Sequence, residues 1–138
     1  MTLLLDTHTA LWLALGDANL SGKALAAIQN PANECWVSDV SFWEIAIKVS
    51  RGKLVFQGEF PGHFEASLLR EGIRRLTPDL NDYHGLARLP FLPAEITGSR
   101  EHKDPFDRML AVQARQRRWT LVSRDKVLDH YGVLRIWE

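Results

Sequence analysis

Short apolar runs alternate with stretches of helical spacing from one end of this chain to the other. Thr2–Leu5 is a run suited to a strand buried on both faces, and Asp6 ends it abruptly. From Thr7 the period lengthens. Ala10, Leu11, Trp12, Leu13 and Ala14 predict a short helix closed by Gly16, and Ser21 caps a second helix that carries Ala24, Leu25 and Ile28 and stops before Pro31. Cys35–Val37 reads as the next strand, Ser38–Ser41 as a turn, and Phe42, Ile45, Ala46 and Val49 as a helix reaching Gly52. Gly58, Pro61 and Gly62 mark a loop, Phe64–Leu69 a helix, and Ile73–Leu76 a short strand before Pro78.

In the second half, Asp79 or Asn81 opens a helix through Leu86, and a long irregular segment with two prolines and a glycine, residues 89–103, follows. The next helix has a sharp start. Asp104 can cap the first free N–H groups, and Pro105 sits where its missing N–H costs nothing, so the helix runs from Pro105 to about Arg118 with Asp107 in its first turn. Phe106, Met109 and Leu110 supply its apolar face, and Ala111 and Ala114 permit close packing. Thr120–Val122 is a strand, Ser123–Asp125 a turn, Lys126–Tyr131 a helix ended by Gly132, and Val133–Trp137 a last edge strand. Parallel neighbours need crossovers, and the intervening helices provide them. The expected fold is therefore α/β, a three-layer α/β/α sandwich on a mostly parallel sheet, formed by residues 1–138 as one domain.

Composition changes this picture little. Apolar residues make up 46% of the 138 and charged residues 25%, as in ordinary globular proteins, and 17 basic residues balance 17 acidic ones. No global charge therefore announces a polyanion partner. Basic residues do cluster at helix ends, as at Lys48, Arg51 and Lys53, where complementing the helix dipole is reason enough. Cys35 is the single cysteine, which excludes a disulfide framework and a thiolate metal site and fits a reducing, cytoplasmic setting. The first fifteen residues lack a basic lead and are interrupted by Asp6 and His8, so neither a targeting segment nor a membrane span is expected.

Chemistry enters through the acids. In open parallel sheets the ligand site lies beyond the carboxyl ends of the strands. Asp6 directly follows a strand and Asp125 follows Leu121-Val122 after two intervening residues, while Glu44 and Asp107 fall in the first turns of predicted helices, so all four can face one rim. Each also has a structural role open to it: Asp6 and Asp125 as caps, Glu44 as the far half of a Ser41–Glu44 capping box, and Asp107 as a partner of the helix dipole. Capping gives no reason to crowd four like charges, however, and a bound cation does. Oxygen donors without a Cys/His cluster favour Mg²⁺ or Mn²⁺ over Zn²⁺. His8 and His102 lie near the acids but read as exposed or hydrogen-bonding side chains, and Trp12 and Trp43 as core residues that could otherwise stack on a base.

LLLDTHTALW, SFWEIAIKVSRGKL, DPFDRMLAVQA and TLVSRD, taken together over nearly the whole chain, resemble the PIN-domain ribonucleases, specifically the VapC-type toxins of bacterial toxin–antitoxin pairs. The resemblance implies that Asp6, Glu44 and Asp107 are the three core metal-binding acids and Asp125 the more variable fourth, with Thr7 and Ser123 at accompanying hydroxyl positions. Asp104 is a further candidate metal ligand, while the family's third acid aligns with Asp107. It further implies Mg²⁺- or Mn²⁺-dependent hydrolysis of RNA, a VapB-type antitoxin as partner and a homodimer. Lys48, Lys103 and Arg108 flank the acids and are the expected phosphate contacts. The rival reading is a non-catalytic interaction module on the same scaffold, its carboxylates serving only as caps. A phosphoacceptor of receiver type is disfavoured, because Asp6-Thr7-His8 offers no acid pair and Val122-Ser123-Arg124 no lysine.

Overall fold

The computed structural model describes residues 1–98 and 102–138. Its strands are β1 (Thr2–Leu5), β2 (Glu34–Ser38), β3 (Arg74–Leu76), β4 (Thr120–Val122) and β5 (Leu134–Ile136), in the spatial order β3-β2-β1-β4-β5. Every pairing is parallel, with Leu3 opposite Cys35 on one side and Thr120 on the other. The helices are α1 (Thr7–Leu15), α2 (Gly22–Gln29), α3 (Asp39–Ser50), α4 (Gly62–Arg70), α5 (Leu80–Ala87), α6 (Ala94–Thr97) and α7 (Pro105–Arg117), with a 3-10 helix at Lys126–Tyr131.

The alternation of side chains along β1 explains why its sequence is apolar at every position. Leu3 and Leu5 join Cys35, Val37 and Val122 in a core against Ala10, Ile28, Ile45 and Phe64, whereas Leu4 and Leu121 point the other way, against Leu110, Ala114 and Leu128. Both faces of the sheet are thus covered, as a parallel sheet requires. All the strands enter from the same edge, so the chain turns into a helix or loop at the carboxyl edge after each one.

Three local expectations need correction. The helix after β2 starts at Asp39 rather than Phe42, with Ser38 as its cap through a 3.1 Å bond from the Val40 N–H. Residues 38–41 are therefore not a free turn, Glu44 falls in the second helical turn, and the Ser41–Glu44 capping box does not form. The segment after Asp125 winds as a 3-10 helix, not an α-helix. The long segment 89–103 is not wholly irregular: it contains α6, and Leu92 and His102 pair in an antiparallel bridge. Positions 99–101 of that segment lie outside the described residues. Among the described residues no helix is long and apolar enough to cross a membrane.

Candidate functional site: an acidic cleft at the carboxyl edge

Asp6 is where β1 stops and α1 begins. Its N–H still donates to the Val122 carbonyl at 3.1 Å, as a last rung of the sheet, while its Oδ1 accepts the His8 N–H at 2.9 Å and caps α1. Its Oδ2 accepts from the hydroxyl of Ser123, which is fully buried just past β4. The Ser123 Oγ in turn accepts the Asp125 N–H at 3.0 Å, so one hydroxyl ties the first acid to the loop carrying the fourth. Thr7 and Ser41 share a 2.9 Å hydroxyl contact that fixes the start of α1 against α3, the helix bearing Glu44.

Asp104 and Asp107 arrive from the other side. Asp104 Oδ1 accepts the N–H groups of Phe106 and Asp107, each at 3.0 Å, with Pro105 in the first turn of α7. Capping by Asp104 thus aims Asp107 at the rim. Burial, followed by the charges of Asp104, Asp6, Asp125 and Glu44, pushes Asp107 up to about 8. Glu44 has a cation beside it in Lys48, whose Nζ lies 3.6 Å away.

Asp6, Glu44, Asp104, Asp107 and Asp125 line a single cleft of about 570 Å³ together with His8, Trp12, Arg124 and Lys126. The tightest group of donor atoms among the described residues is His102, Asp107 and Asp125, whose ligand atoms all lie within 4.8 Å of one another. Asp6 and Glu44 share the cleft without joining that triad. A separate hollow of about 450 Å³ lies between α5 and α7, but no acid appears among its lining residues. The acidic cleft is accordingly a surface suited to a cation. Its donors are mostly carboxylate oxygens, and Asp107 is raised first by burial and then by the charges of the neighbouring acids.

The remaining site candidates divide. Lys103 is exposed beside Asp104, and Lys48 is half-buried against Glu44. Arg108 does not reach the rim. It is 5% exposed, donates to the carbonyls of Leu89 at 2.8 Å and Pro90 at 3.1 Å, and lies over the Phe91 ring. A first-turn residue next to Asp107 points about 100° away from it around the helix, which carries Arg108 inward.

Trp43, read from sequence as core, is 61% exposed and meets the edge of Phe106 at 5.1 Å. Trp12 is half-buried on the cleft wall. Sequence reasoning passed over Arg124 and Lys126, although their places on either side of Asp125 were a usable signal. It treated His102 as a generic hydrogen-bonding residue. In the fold His102 Nε2 lies 3.3 Å from Asp107 Oδ2, and its Nδ1 lies 2.5 Å from the Tyr131 hydroxyl.

The chain is 30% identical to Ribonuclease VapC22 of Mycobacterium tuberculosis (strain ATCC 25618 / H37Rv) over 129 residues, which is 92% of this chain and 89% of that protein. The fold is similar to VapBC2 from Rickettsia felis bound to a promoter DNA fragment, with a TM-score of 0.64, 15% identity and complete coverage of both chains. It is also similar to VapBC-1 from nontypeable Haemophilus influenzae, with a TM-score of 0.64, 16% identity, and 99% and 97% of the two chains covered. The PIN domain profile matches residues 3–134, nearly the whole of the sheet and every acid of the cleft, and the chain belongs to the PIN-domain family.

Proposed function

We propose that this protein is a divalent-metal-dependent endoribonuclease, the toxin of a toxin–antitoxin pair, acting on RNA in a reducing cytoplasm and restrained by a VapB-type antitoxin. The observation that carries the reading is the convergence of five carboxylates on one cleft, with Asp107 held far above the ordinary carboxylate range by burial and by its neighbours. Capping accounts for Asp104 and in part for Asp6 and Asp125, but it does not account for Glu44 or Asp107. The relative from M. tuberculosis is named a ribonuclease, and VapBC complexes share the fold, which supports the substrate class and the kind of partner.

Asp6, Glu44, Asp107 and Asp125 are the residues that would hold Mg²⁺ or Mn²⁺. When bound, such an ion supplies a water of lowered pKa and offsets the charge that develops on the phosphate. The protein's own part is positioning and charge. Ser123 and the His8 N–H fix the direction of the Asp6 carboxylate, and the Asp104 cap fixes the turn that presents Asp107. Arg124 and Lys126 on the cleft wall, with Lys48 beside Glu44 and Lys103 next to Asp104 in the chain, are suited to phosphate oxygens of a strand lying across the acids. The exposed indole of Trp43, one residue before Glu44, offers a face for an unpaired base.

Expression in a bacterium tests the whole proposal. Growth should slow as a discrete set of cellular RNAs is cut, the Asp6→Asn variant should do neither, and co-expression of the antitoxin should restore growth. Equal toxicity of wild type and Asp6→Asn at equal expression would refute catalysis by the cleft and favour the interaction module.

A further inference from the structure

His102 sits at the end of the long connection between α5 and α7, and three separate contacts fix it. Its N–H donates to the Leu92 carbonyl at 3.1 Å, closing the antiparallel bridge within that connection. Its Nδ1 lies 2.5 Å from the hydroxyl of Tyr131, a residue 4% exposed on the 3-10 helix after Asp125. Its Nε2 faces Asp107 Oδ2 at 3.3 Å. Where a bound cation keeps Asp107 ionised, its carboxylate only accepts, so Nε2 carries the proton, and Nδ1 of the neutral ring must then receive the Tyr131 O–H. The guanidinium of Arg108 lies beside the Tyr131 hydroxyl, and Arg108 is itself held by the carbonyls of Leu89 and Pro90. A guanidinium cannot accept, which leaves the phenol free to donate toward the imidazole.

We propose that His102, oriented by Tyr131, is a positioning residue that fixes the rotation of the Asp107 carboxylate, holding Oδ2 so that the other oxygen is presented to the cleft. This rests on the metal-dependent reading of the site. Residues that hydrogen-bond a metal-ligating carboxylate typically alter metal affinity by about 10- to 100-fold when removed. The long connection thereby gains a role: residues 89–92 and His102 carry the hydrogen-bonded chain whose far end is a site acid. Arg108, which fails as a phosphate contact, takes part in the same chain.

Calorimetric titration of the purified protein with Mn²⁺ and with Mg²⁺ tests it without any RNA. His102→Ala should weaken binding by about 10- to 100-fold. His102→Gln places an amide N–H near the position of Nε2 and should stay within about threefold of wild type, while His102→Asn, too short to reach, should behave as the alanine variant does. Tyr131→Phe should fall between, because the ring remains but can rotate. Thermal melts in EDTA identify any variant that is merely unfolded, and the Gln-against-Asn comparison reads position rather than stability. Equal affinity of all four variants and wild type would overturn the inference while leaving the metal site intact. A directly coordinated nitrogen in the electron spin echo spectrum of the Mn²⁺-loaded protein would overturn it differently, making His102 a ligand. Absence of metal binding in the wild type would instead sink the proposed function.

Discussion

Asp107→Asn should stabilise the metal-free protein, and the size of the effect should depend on pH. In the folded state the Asp107 carboxyl is pushed up from 3.8 to about 8, first by burial and then by Asp104, Asp6, Asp125 and Glu44. An acid whose folded pKa exceeds its unfolded value leaves stability untouched below the unfolded pKa. It then costs progressively more as pH rises, until the folded pKa is passed. Between about pH 4 and pH 8 the shift is worth about 1.4 kcal/mol per unit, so the ceiling is roughly 6 kcal/mol, and water entering the cleft reduces it to something on the order of 1–4 kcal/mol. Asparagine removes this cost. Its carbonyl can still accept from His102 Nε2, and the loss of a first-turn charge on α7 subtracts only about 0.5 kcal/mol. Urea unfolding in EDTA at pH 4.5, 6 and 8 measures the difference. The variant should match wild type at the lowest pH and exceed it increasingly toward pH 8. Saturating Mn²⁺ should reverse the order, because only the wild type gains binding energy. A variant less stable than wild type at every pH, or by a constant amount, would refute the argument and point to a purely structural Asp107.

Asp82 is fully buried; burial acts to raise its pKa, but the Arg117 guanidinium and the Asp79 backbone more than offset this and hold it below the ordinary value. Asp82→Asn should therefore cost about 2–4 kcal/mol at neutral pH in a denaturant melt, and the difference should shrink as pH falls through the carboxylate range. Replacing both Arg124 and Lys126 by Ala should reduce the salt dependence of RNA binding by about 0.7 in slope for each phosphate that is no longer neutralised, measured by fluorescence anisotropy across salt concentrations. Trp43→Ala should leave the melting temperature near that of wild type, since the side chain is exposed, yet weaken binding of a single-stranded RNA by about 1–3 kcal/mol. An unchanged affinity would remove Trp43 from the substrate path.

Much of the architecture was legible because local physics and tertiary packing agree. β1 is apolar at Leu3, Leu4 and Leu5 because it lies at the centre of a sheet covered on both faces, and the Asp104-Pro105 start of α7 is unambiguous chemistry. The acids were legible for a related reason, since each lies just past a strand or near the start of a helix at the carboxyl edge. The start of α3 was not. Ser38 and Ser41 are both plausible caps three residues apart, and the choice is consistent with Ser41 Oγ being engaged by Thr7, 34 residues away. Arg108 was misplaced because the carbonyls that hold it belong to Leu89 and Pro90, 19 and 18 residues earlier. His102 could not be read as a positioning residue until Tyr131, 29 residues later, was seen to meet it. In each of these the deciding partner is distant in sequence and invisible to periodicity.

Metal held by the carboxylate cleft is what the proposed cleavage of RNA depends on. The most direct measurement is cleavage of an RNA with an exposed loop by the purified protein, free of antitoxin, with wild type and Asp6→Asn compared in Mg²⁺, Mn²⁺ and EDTA. The expected result is discrete fragments from the wild type with either ion, none in EDTA, and loss of most activity in Asp6→Asn while RNA binding persists. Cleavage that survives EDTA or the Asp6 substitution, or a wild type that cuts no RNA from a total cellular pool at any concentration of either ion, would contradict it.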